Sequence, residues 1–416
     1  MLGCATANPS YNLRSLDMKL SLCMIVKNEE EKLPRCLSSV SGLVDEVILV
    51  DTGSTDRTVT IAQSFNAKVH FFEWCHDFSA ARNVSLSPAQ GEWILVLDAD
   101  EVLVPEVIPM LRGAIEDPHH LVVNLLRQEI GAMQFPYSLV SRLFRRHPSL
   151  HFSHPYHETI DDSVMQVLSQ EVQWRVVDLP HIAILHDGYQ IGTIAQRDKF
   201  TTAQVTMEGF LAQHPNDPYI CGKLGSLYVQ LGELERGINL LERGLKLATE
   251  PAIVYELYYH AGIAQNRHGK SQQAEYHYQT ALQQAILPQL KLGAYNNLGN
   301  LYKDGGDLSA AKVAYEATLE IDPGFIQGHY NLAMTFKAMG NIQQAIGHYQ
   351  QAIVLNPDFA EAYQNLGIIW LKLGQVETAL QTFRQAFLSY QKQQSPKAEK
   401  LYQNLKAIGF DLKTPT

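Results

Sequence analysis

The stretch LSLCMIVKNEEEKLPRCLSSVSGLVDEVILVDTGSTDRT, residues 20–58, decides the fold of the first half of the chain. Two short apolar runs, Leu20–Val26 and Glu46–Val50, lie on either side of a helix-like stretch at Glu30–Ser39. Each apolar run ends in a group of polar residues. This order of strand, helix and strand is typical of an α/β domain with parallel strands.

The same alternation continues to about residue 189. The further predicted elements are the strands Lys68–Phe72 and Trp93–Leu97 and the helices Asp56–Phe65 and Phe78–Leu86. Each predicted helix has a polar residue able to cap its first turn. We therefore predict an α/β domain with a Rossmann-like, mostly parallel sheet over residues 18–192. Residues 1–17 are predicted to be a disordered extension, with Met18 as the natural start of the protein.

From about Pro218 the strand pattern gives way to an internal repeat. Five dipeptides of the Leu-Gly type recur at intervals of 37, 37, 34 and 34 residues, starting at Leu224, Ala261, Leu298, Leu332 and Leu366. A glycine follows eight residues after the start of each, and the later units add a small and then a large residue, as at Ala311 and Tyr315. This is the tetratricopeptide (TPR) pattern, in which small residues let paired helices approach closely. We predict an all-α solenoid, with a linking helix at 193–216, five repeats at 217–390, and a capping helix and tail at 391–416.

Composition narrows the classes of partner. The 416 residues carry a formal net charge of −10 at pH 7, and nine of these surplus negative charges fall in residues 1–200, which argues against nucleic acid as a partner. The five cysteines are odd in number and form no CxxC pair, so a disulfide framework or zinc site is not indicated and a reducing cytoplasm is favoured. No window approaches the roughly 18 apolar residues of a membrane span, so no transmembrane segment is expected.

Polar motifs follow the predicted strands, where ligands bind in open α/β sheets. In chain order the motifs are MIVKNEE at 24–30, VDTGSTDRT at 50–58, DFSAARN at 77–83 and ILVLDADE at 94–101. In this order they resemble the family 2 glycosyltransferases of the GT-A fold, and more closely the subgroup with C-terminal TPR repeats. The resemblance covers about residues 19–190 for the catalytic domain and the rest of the chain for the repeats.

The resemblance implies a nucleotide-sugar donor and a divalent cation, Mn²⁺ or Mg²⁺. A sugar diphosphate leaving group is strongly anionic, and a hard cation held by carboxylate oxygens neutralises it. Asp100 is the predicted metal ligand, and Asp98 is expected to reach the ribose or a second coordination position. GT-A enzymes often supply a late histidine to the same cation, and His186 fits this role. A hydrogen-bonded core histidine is the alternative for His186.

The resemblance also implies a nucleotide site. The loop residues expected to wrap the base are Lys27, Asn28 and Glu29, with a plain solvated loop as the alternative. Asp51 is expected to accept a hydrogen bond from the uracil or ribose, the alternative being that it starts a turn while Asp56 caps the next helix. Arg82 is expected to bind phosphate or stack on the base, whereas a surface ion pair with Asp77 is the alternative.

An inverting transferase needs a general base, usually a carboxylate across the cleft from the metal. The segment HFSHPYHETIDD at 151–162 offers three carboxylates, and its His-Glu dipeptide matches one that recurs in the repeat-bearing subgroup. Glu158 is therefore the predicted base. The histidines of this segment have three-residue spacing with no fourth ligand nearby, so zinc is not predicted. Arg142 and Arg145 are candidates for binding acceptor or pyrophosphate, or ordinary half-exposed strand residues.

Together these features predict a hexosyl- or N-acetylhexosaminyl-transferase that uses a nucleoside diphosphate donor, with UDP as the expected nucleotide. The repeats would hold a protein or peptide acceptor or drive self-association into a homo-oligomer. The alternative is a peptide-binding TPR scaffold whose transferase domain has decayed. Nucleotidyl transfer would call for a glycine-rich phosphate loop after the first strand, and MIVKNEE has no glycine.

Overall fold

A computed structural model describes residues 19–132, 136–187 and 193–410, except for the side chains of residues 193–199. The predicted extension, Met18 and the last residues of the predicted tail lie outside the described residues. The chain forms two compact units, and the boundary between them lies near residue 210. This boundary falls within a helix that starts at Thr193, the residue at which the linking helix was predicted to start.

Eight strands in the described part of the first unit form one mixed sheet, in the order β3-β2-β1-β4-β7-β6-β8-β5. The strands are β1 (Leu20–Val26), β2 (Glu46–Asp51), β3 (Lys68–Phe71), β4 (Trp93–Val96), β5 (Glu101–Leu103), β6 (His120–Glu129), β7 (Tyr137–Arg145) and β8 (Arg175–His186). The neighbours β3, β2, β1 and β4 are parallel, as predicted. The other half is mixed, because β7 runs antiparallel to both β4 and β6 while β6 and β8 are parallel.

Helices connect and cover the strands of this unit. They are α1 (Leu33–Ser39), α2 (Thr58–Ser64), α3 (Phe78–Leu86), α4 (Ile108–Glu116, after a 3-10 turn at Pro105–Val107), α5 (Asp161–Gln170) and α6 (Thr193–Gln213). The predicted side-chain cap is present on α3, where Asp77 accepts a hydrogen bond from the Ala80 amide at 3.0 Å. It is absent from α1 and α2, so those two capping predictions are wrong.

The central strand β1 explains why polar groups collect at one edge of the sheet. Leu22 and Met24 are fully buried in the core on one face of the sheet, and Cys23 is fully buried in the core on the other. Burying a polar side chain costs free energy, so a strand that is buried on both faces usually has its polar side chains beyond its ends. The polar motifs after β1, β2 and β4 therefore meet at the carboxyl edge of these parallel strands.

The second unit consists of paired helices, one pair for each of the five predicted repeats. They are α7 (Pro218–Leu231) and α8 (Leu234–Leu247), α9 (Pro251–Arg267) and α10 (Ser271–Leu282), α11 (Leu292–Asp304, after a 3-10 turn at Pro288–Lys291) and α12 (Leu308–Ile321), α13 (Ile326–Ala338) and α14 (Ile342–Leu355), and α15 (Ala360–Lys372) and α16 (Val376–Lys392), followed by α17 (Lys397–Ala407). The glycine of the repeat lets the helices of a pair touch, since a Cβ on Gly299 would lie 2.6 Å from a ring carbon of Tyr315. The unit is a TPR solenoid.

Candidate active site

The loops after β1 and β2 bind each other at the carboxyl edge of the sheet. Val26, the last residue of β1, lies in register with Asp51 at the end of β2. The Asn28 amide donates to the Ser54 hydroxyl at 2.9 Å, and the Asn28 side-chain oxygen accepts from the Thr55 amide at 2.8 Å. Asn28 has a φ of 56°, a left-handed conformation that asparagine tolerates better than most residues. The predicted base-binding loop is thus hydrogen-bonded to the loop after β2.

Asp51 and Asp56 both organise the turn after β2. Asp51 is buried, and its Oδ1 accepts from the amides of Gly53 and Ser54, each at 3.0 Å. Asp56 accepts from the amide and hydroxyl of Thr58, at 2.9 and 2.6 Å, without occupying the cap position of α2. The turn interpretation of Asp51 is therefore present in the structure, and its contact with a donor stays a prediction.

The other two residues predicted to wrap the base differ in their surroundings. Lys27 is exposed. Glu29 is half-buried, and its pKa is raised by burial and then by the negative charge of Asp100. Glu29 therefore lies within electrostatic reach of the predicted metal ligand, while Lys27 faces solvent.

Arg82 joins two predicted site residues that are 60 positions apart in the chain. Its side chain is buried, Nη2 donates to Asp98 Oδ1 at 2.5 Å, and Nε donates to Glu158 Oε1 at 2.7 Å. The alternative of a surface ion pair with Asp77 is wrong, since Asp77 caps α3 instead. One guanidinium group thus brings the predicted base next to the Asp-x-Asp motif.

Asp98 is held by a second arginine as well. Arg142 Nη2, from β7, donates to Asp98 Oδ2 at 3.0 Å. Burial favours the protonated acid, but the charges of Arg142 and Arg82 outweigh it and hold the pKa of Asp98 far below its usual range. Because both carboxylate oxygens are engaged by guanidinium groups, this geometry does not support the prediction that Asp98 is a metal ligand.

Arg145 lies away from this cluster. Its guanidinium stacks on the Trp93 ring at 4.8 Å, and it donates to the backbone oxygens of His120 and Asp117 at 2.8 and 2.9 Å. These contacts are at the start of β4 and β6, the opposite edge of the sheet from Asp98. Arg145 is therefore a packing residue, and the suggestion that it binds acceptor or pyrophosphate is wrong.

Asp100 faces His186, the last residue of β8. Asp100 Oδ1 lies 3.5 Å from His186 Nε2, and its Oδ2 lies 3.4 Å from Lys32 Nζ. The other ring nitrogen of His186, Nδ1, is 2.5 Å from Glu129 Oε2. Burial alone would lower the pKa of His186, but the hydrogen bonds to Asp100 and Glu129 raise it to about 9. The structure is thus compatible with the alternative of a hydrogen-bonded histidine, and the role of His186 as a metal ligand stays a prediction.

Three charged residues of this network were missed by the sequence reasoning. They are Glu101 on β5 and Arg127 and Glu129 on β6. Arg127 Nε lies 2.9 Å from Glu129 Oε1, and Arg127 Nη1 donates at 2.8 Å to the fully buried Glu101. The available signal was the end of β6, where two charged residues two positions apart follow an apolar run, as in the Asp-x-Asp motif.

Comparison with known proteins agrees with this geometry. The profile of glycosyl transferase family 2 matches residues 21–176, and tetratricopeptide repeat profiles match stretches between residues 223 and 392. The chain belongs to the family 2 glycosyltransferases with TPR repeats.

Relatives of this glycosyltransferase cover both units. A TPR repeat-containing protein of Synechococcus elongatus is 46% identical over 303 residues, which span 73% of this chain and 74% of the relative. An uncharacterized glycosyltransferase of Rickettsia bellii is 30% identical over 200 residues, which span 45% of this chain and 67% of that protein. Among solved structures, YrrB, described as a TPR protein with an unusual peptide-binding site, aligns with 48% of this chain and 97% of its own at 17% identity and a TM-score of 0.39.

The residues of this glycosyltransferase fit a divalent cation between Asp100 and His186. A metal-bound histidine usually gives its other ring N–H to a carboxylate, and Glu129 has that position on His186. Ligands about 2.1 Å from one Mg²⁺ lie about 3 Å apart at right angles, close to the 3.5 Å seen here. In the described ranges no group of three or more His, Cys, Asp or Glu residues could hold a metal. Mg²⁺ is usually bound through one or two carboxylates, with substrate phosphate and water completing its coordination, and Asp100 would supply such a carboxylate.

Along the part of the glycosyltransferase that the structure describes, no helix combines the length and the apolar character that crossing a membrane requires.

Proposed function

We propose that this glycosyltransferase is metal-dependent and inverting, and that it moves a hexosyl or N-acetylhexosaminyl group from a nucleoside diphosphate donor, with UDP as the expected nucleotide. The observation that carries the proposal is the single buried guanidinium of Arg82, which binds both Asp98 and Glu158. Burying charges is costly, and ionised groups brought together at the ligand-binding edge of a sheet are characteristic of a working site. A decayed domain would have no need to maintain this network.

The donor would lie across the carboxyl ends of β1, β2 and β4. The residues proposed to contact its base and ribose are Lys27, Asn28, Glu29, Asp51 and Asp98. Arg82 is proposed to lie beside its phosphates. Asp100 and His186 would hold the Mn²⁺ or Mg²⁺ ion. When bound, the ion would neutralise charge that develops on the diphosphate.

Glu158 is the proposed general base. Its side chain is 12% exposed, and the bond to Arg82 fixes its position next to Asp98. In the proposed reaction the acceptor hydroxyl gives its proton to the Glu158 carboxylate while its oxygen attacks the anomeric carbon. The bond from that carbon to the diphosphate oxygen breaks on the opposite side, which inverts the configuration.

The acceptor is proposed to be a protein or peptide bound by the TPR unit. Its support is that stacked helical repeats form extended surfaces suited to polypeptide ligands. Self-association into a homo-oligomer and a cytoplasmic location stay predictions. The alternative function, a scaffold that binds peptides without catalysis, makes no use of the Asp100 and His186 pair.

Isothermal titration of UDP into the full-length protein tests the donor site, with Mn²⁺, with EDTA and with the Asp100→Ala variant. Asp117→Ala is the matched control, because Asp117 precedes β6 at the opposite edge of the sheet. Binding that needs both Mn²⁺ and Asp100, but not Asp117, would support the proposal and justify a screen of UDP-sugars. If UDP and a panel of other nucleoside diphosphates all fail to bind, the scaffold function is favoured.

A further inference from the structure

The second TPR repeat departs from the other four repeats at one position of its first helix. Four residues after the start of the Leu-Gly dipeptide, each of the other repeats has an aromatic residue: Tyr228, Tyr302, Phe336 and Trp370. The second repeat has Gln265 at this position, and this residue is only 4% exposed. A buried side chain that is smaller than the ring it replaces leaves space around it.

The fourth repeat shows what the aromatic ring does at this position. The Phe336 ring stacks on the ring of His348, with a distance of 5.5 Å between ring centroids and an angle of 22° between ring planes. His277 is the counterpart of His348, because each lies 16 residues after the start of the dipeptide in its own repeat. In the second repeat, Gln265 therefore replaces the ring that would cover His277.

A cavity of about 350 Å³ lies at this position, a volume typical of small ligand sites. Side chains from α8, α9 and α10 line it: Glu242, Gln265, Gln272, Gln273, Tyr276 and His277. Tyr276 is 59% exposed, and Glu242 is exposed as well. A ligand in the cavity can therefore reach both of these side chains.

The charge of the lining favours a cation. Among the described residues that line the cavity there is one carboxylate, Glu242, and neither lysine nor arginine. Its counterpart in the third repeat, Glu316, lies 3.2 Å from Lys312, whereas Glu242 has no ion pair within the part of the repeat unit that the structure describes. Burial lowers the pKa of His277, so its imidazole is neutral at pH 7 and adds no positive charge.

The shape and chemistry of the lining fit a guanidinium group. This group is planar, stacks on aromatic rings and donates several hydrogen bonds, whereas an ammonium group is compact and strongly hydrated. Tyr276 supplies an exposed ring, and Glu242 supplies a charged acceptor. An anion would be repelled by Glu242, and a neutral sugar would make no use of its charge.

We propose that this cavity of the second repeat binds an arginine side chain of a polypeptide partner. Glu242 accepts hydrogen bonds from the guanidinium group, and the Tyr276 ring stacks on it. The partner is a polypeptide because stacked helical repeats offer extended surfaces on which the rest of a chain can lie. The proposal rests on the proposed function only for the identity of this polypeptide as the acceptor.

The test measures dissociation constants for the full-length protein by saturation-transfer NMR, without nucleotide or metal. The probe is a blocked pentapeptide with one arginine between glycines, and its control has citrulline, which keeps the shape of arginine but has no charge. We expect the citrulline peptide to bind about fivefold more weakly or worse, because a hydrogen bond between charged groups is lost. Glu242→Gln should weaken the arginine peptide to the same extent.

The matched control for Glu242→Gln is Glu316→Gln, which removes the carboxylate at the same position of the third repeat. This variant should bind the arginine peptide like the wild type. Equal affinities of the wild type for the two peptides would overturn the proposal. So would an unchanged affinity for the arginine peptide in Glu242→Gln, or tighter binding of N-acetylglucosamine than of that peptide.

Gln265→Phe tests the cavity itself. It gives the second repeat the ring that Phe336 supplies in the fourth, so it should fill the space beside His277 and reduce binding of the arginine peptide at least tenfold. Circular dichroism checks that the variant is folded, and undiminished peptide binding by the folded variant would contradict the proposal. UDP affinity should be the same in every variant, which separates a failure of this site from a failure of the proposed donor site.

Discussion

Replacing Glu129 with glutamine tests whether His186 is a metal ligand held by a carboxylate. Glu129 Oε2 lies 2.5 Å from His186 Nδ1, and its Oε1 is held by Arg127 Nε at 2.9 Å and by the Ser138 hydroxyl at 3.1 Å. Glutamine keeps the shape of the side chain and one acceptor oxygen. It loses the negative charge that both Arg127 and the imidazole contact, and its amide nitrogen must face one of these two donors.

Loss of the carboxylate that orients a metal-bound histidine typically costs about 10- to 100-fold in metal affinity, or roughly 1.4 to 2.8 kcal/mol. Because glutamine retains one acceptor, we expect the lower end for Glu129→Gln, a roughly tenfold weaker Mn²⁺ complex, and a larger loss for His186→Ala. Electron paramagnetic resonance of free Mn²⁺ measures the Mn²⁺ affinity of both variants directly, once without nucleotide and once with UDP.

The matched control is Glu171→Gln, because Glu171 Oε1 lies 3.2 Å from a histidine outside the candidate site, His147. This variant should bind Mn²⁺ like the wild type. Equal Mn²⁺ affinities for Glu129→Gln and wild type, alongside a loss in His186→Ala, would show that the carboxylate does not orient the ligand. Unchanged affinity in both site variants would remove His186 from the metal site altogether.

Three further predictions concern stability. An added Cβ at Gly299 would lie 2.6 Å from a buried tyrosine ring, so Gly299→Ala should destabilise the repeats by about 1 to 3 kcal/mol. Gly347→Ala, at an open helical position, should stabilise the repeats by about 0.5 to 1 kcal/mol. Urea unfolding followed by circular dichroism measures the free energy of unfolding of both variants, and an equal change in that free energy would refute the packing argument. Burial lowers the pKa of His260 to about 4, below the ordinary 6.5, so the unfolded chain takes up a proton first as the pH falls. The repeat unit should therefore lose on the order of 2 kcal/mol between about pH 6.5 and pH 4, and a His260→Gln variant with the same pH dependence would contradict this. Arg145→Lys should lose the stacking on Trp93 and some hydrogen bonds to backbone oxygens, which lowers the free energy of unfolding by about 1 to 2 kcal/mol. The UDP affinity should not change. Weaker UDP binding would indicate that Arg145 contributes to the donor site.

Local sequence patterns were sufficient to predict the parallel half of the sheet and the helical repeats. The bounds of β1 and α3 agree with the prediction, because an apolar run and a capped amphipathic stretch are properties of neighbouring residues. The repeat pattern also depends on near neighbours, since the glycine and the aromatic residue of one unit touch each other within one helical pair. Such interactions leave a periodic mark on the sequence.

The mixed half of the sheet could not be predicted in the same way. β7 alternates poorly between apolar and polar residues, because most of its side chains are only half-buried. Its partners, β4 and β6, precede it along the chain and run antiparallel to it. The pairing of β7 with β4 joins strands that are far apart in the chain, and a weak period does not specify it.

The missing helix caps at α1 and α2 have a related cause. Asp56 accepts from the Thr58 amide at the start of α2, but the other polar groups near these helices form hydrogen bonds between the two loops. Glu29 donates its amide to the Thr58 hydroxyl at 2.7 Å, and Glu30 accepts from the amide and side chain of Arg57 at 3.0 and 3.1 Å. The contact between the two loops supplies bonds that an isolated helix would take from its own cap residue.

Asp98 and Asp100 show where the sequence stops being informative about the site. If β4 continued, two residues at this spacing would share one face of the sheet. The strand ends at Val96 and the chain turns, with the Glu101 amide bonded to the Asp98 carbonyl at 3.0 Å. The two carboxylates therefore separate, one towards two arginines and the other towards His186. Sequence position puts both at the ligand edge, but the charge of the partner decides which carboxylate can bind a cation, and these partners come from strands and helices that no local pattern connects.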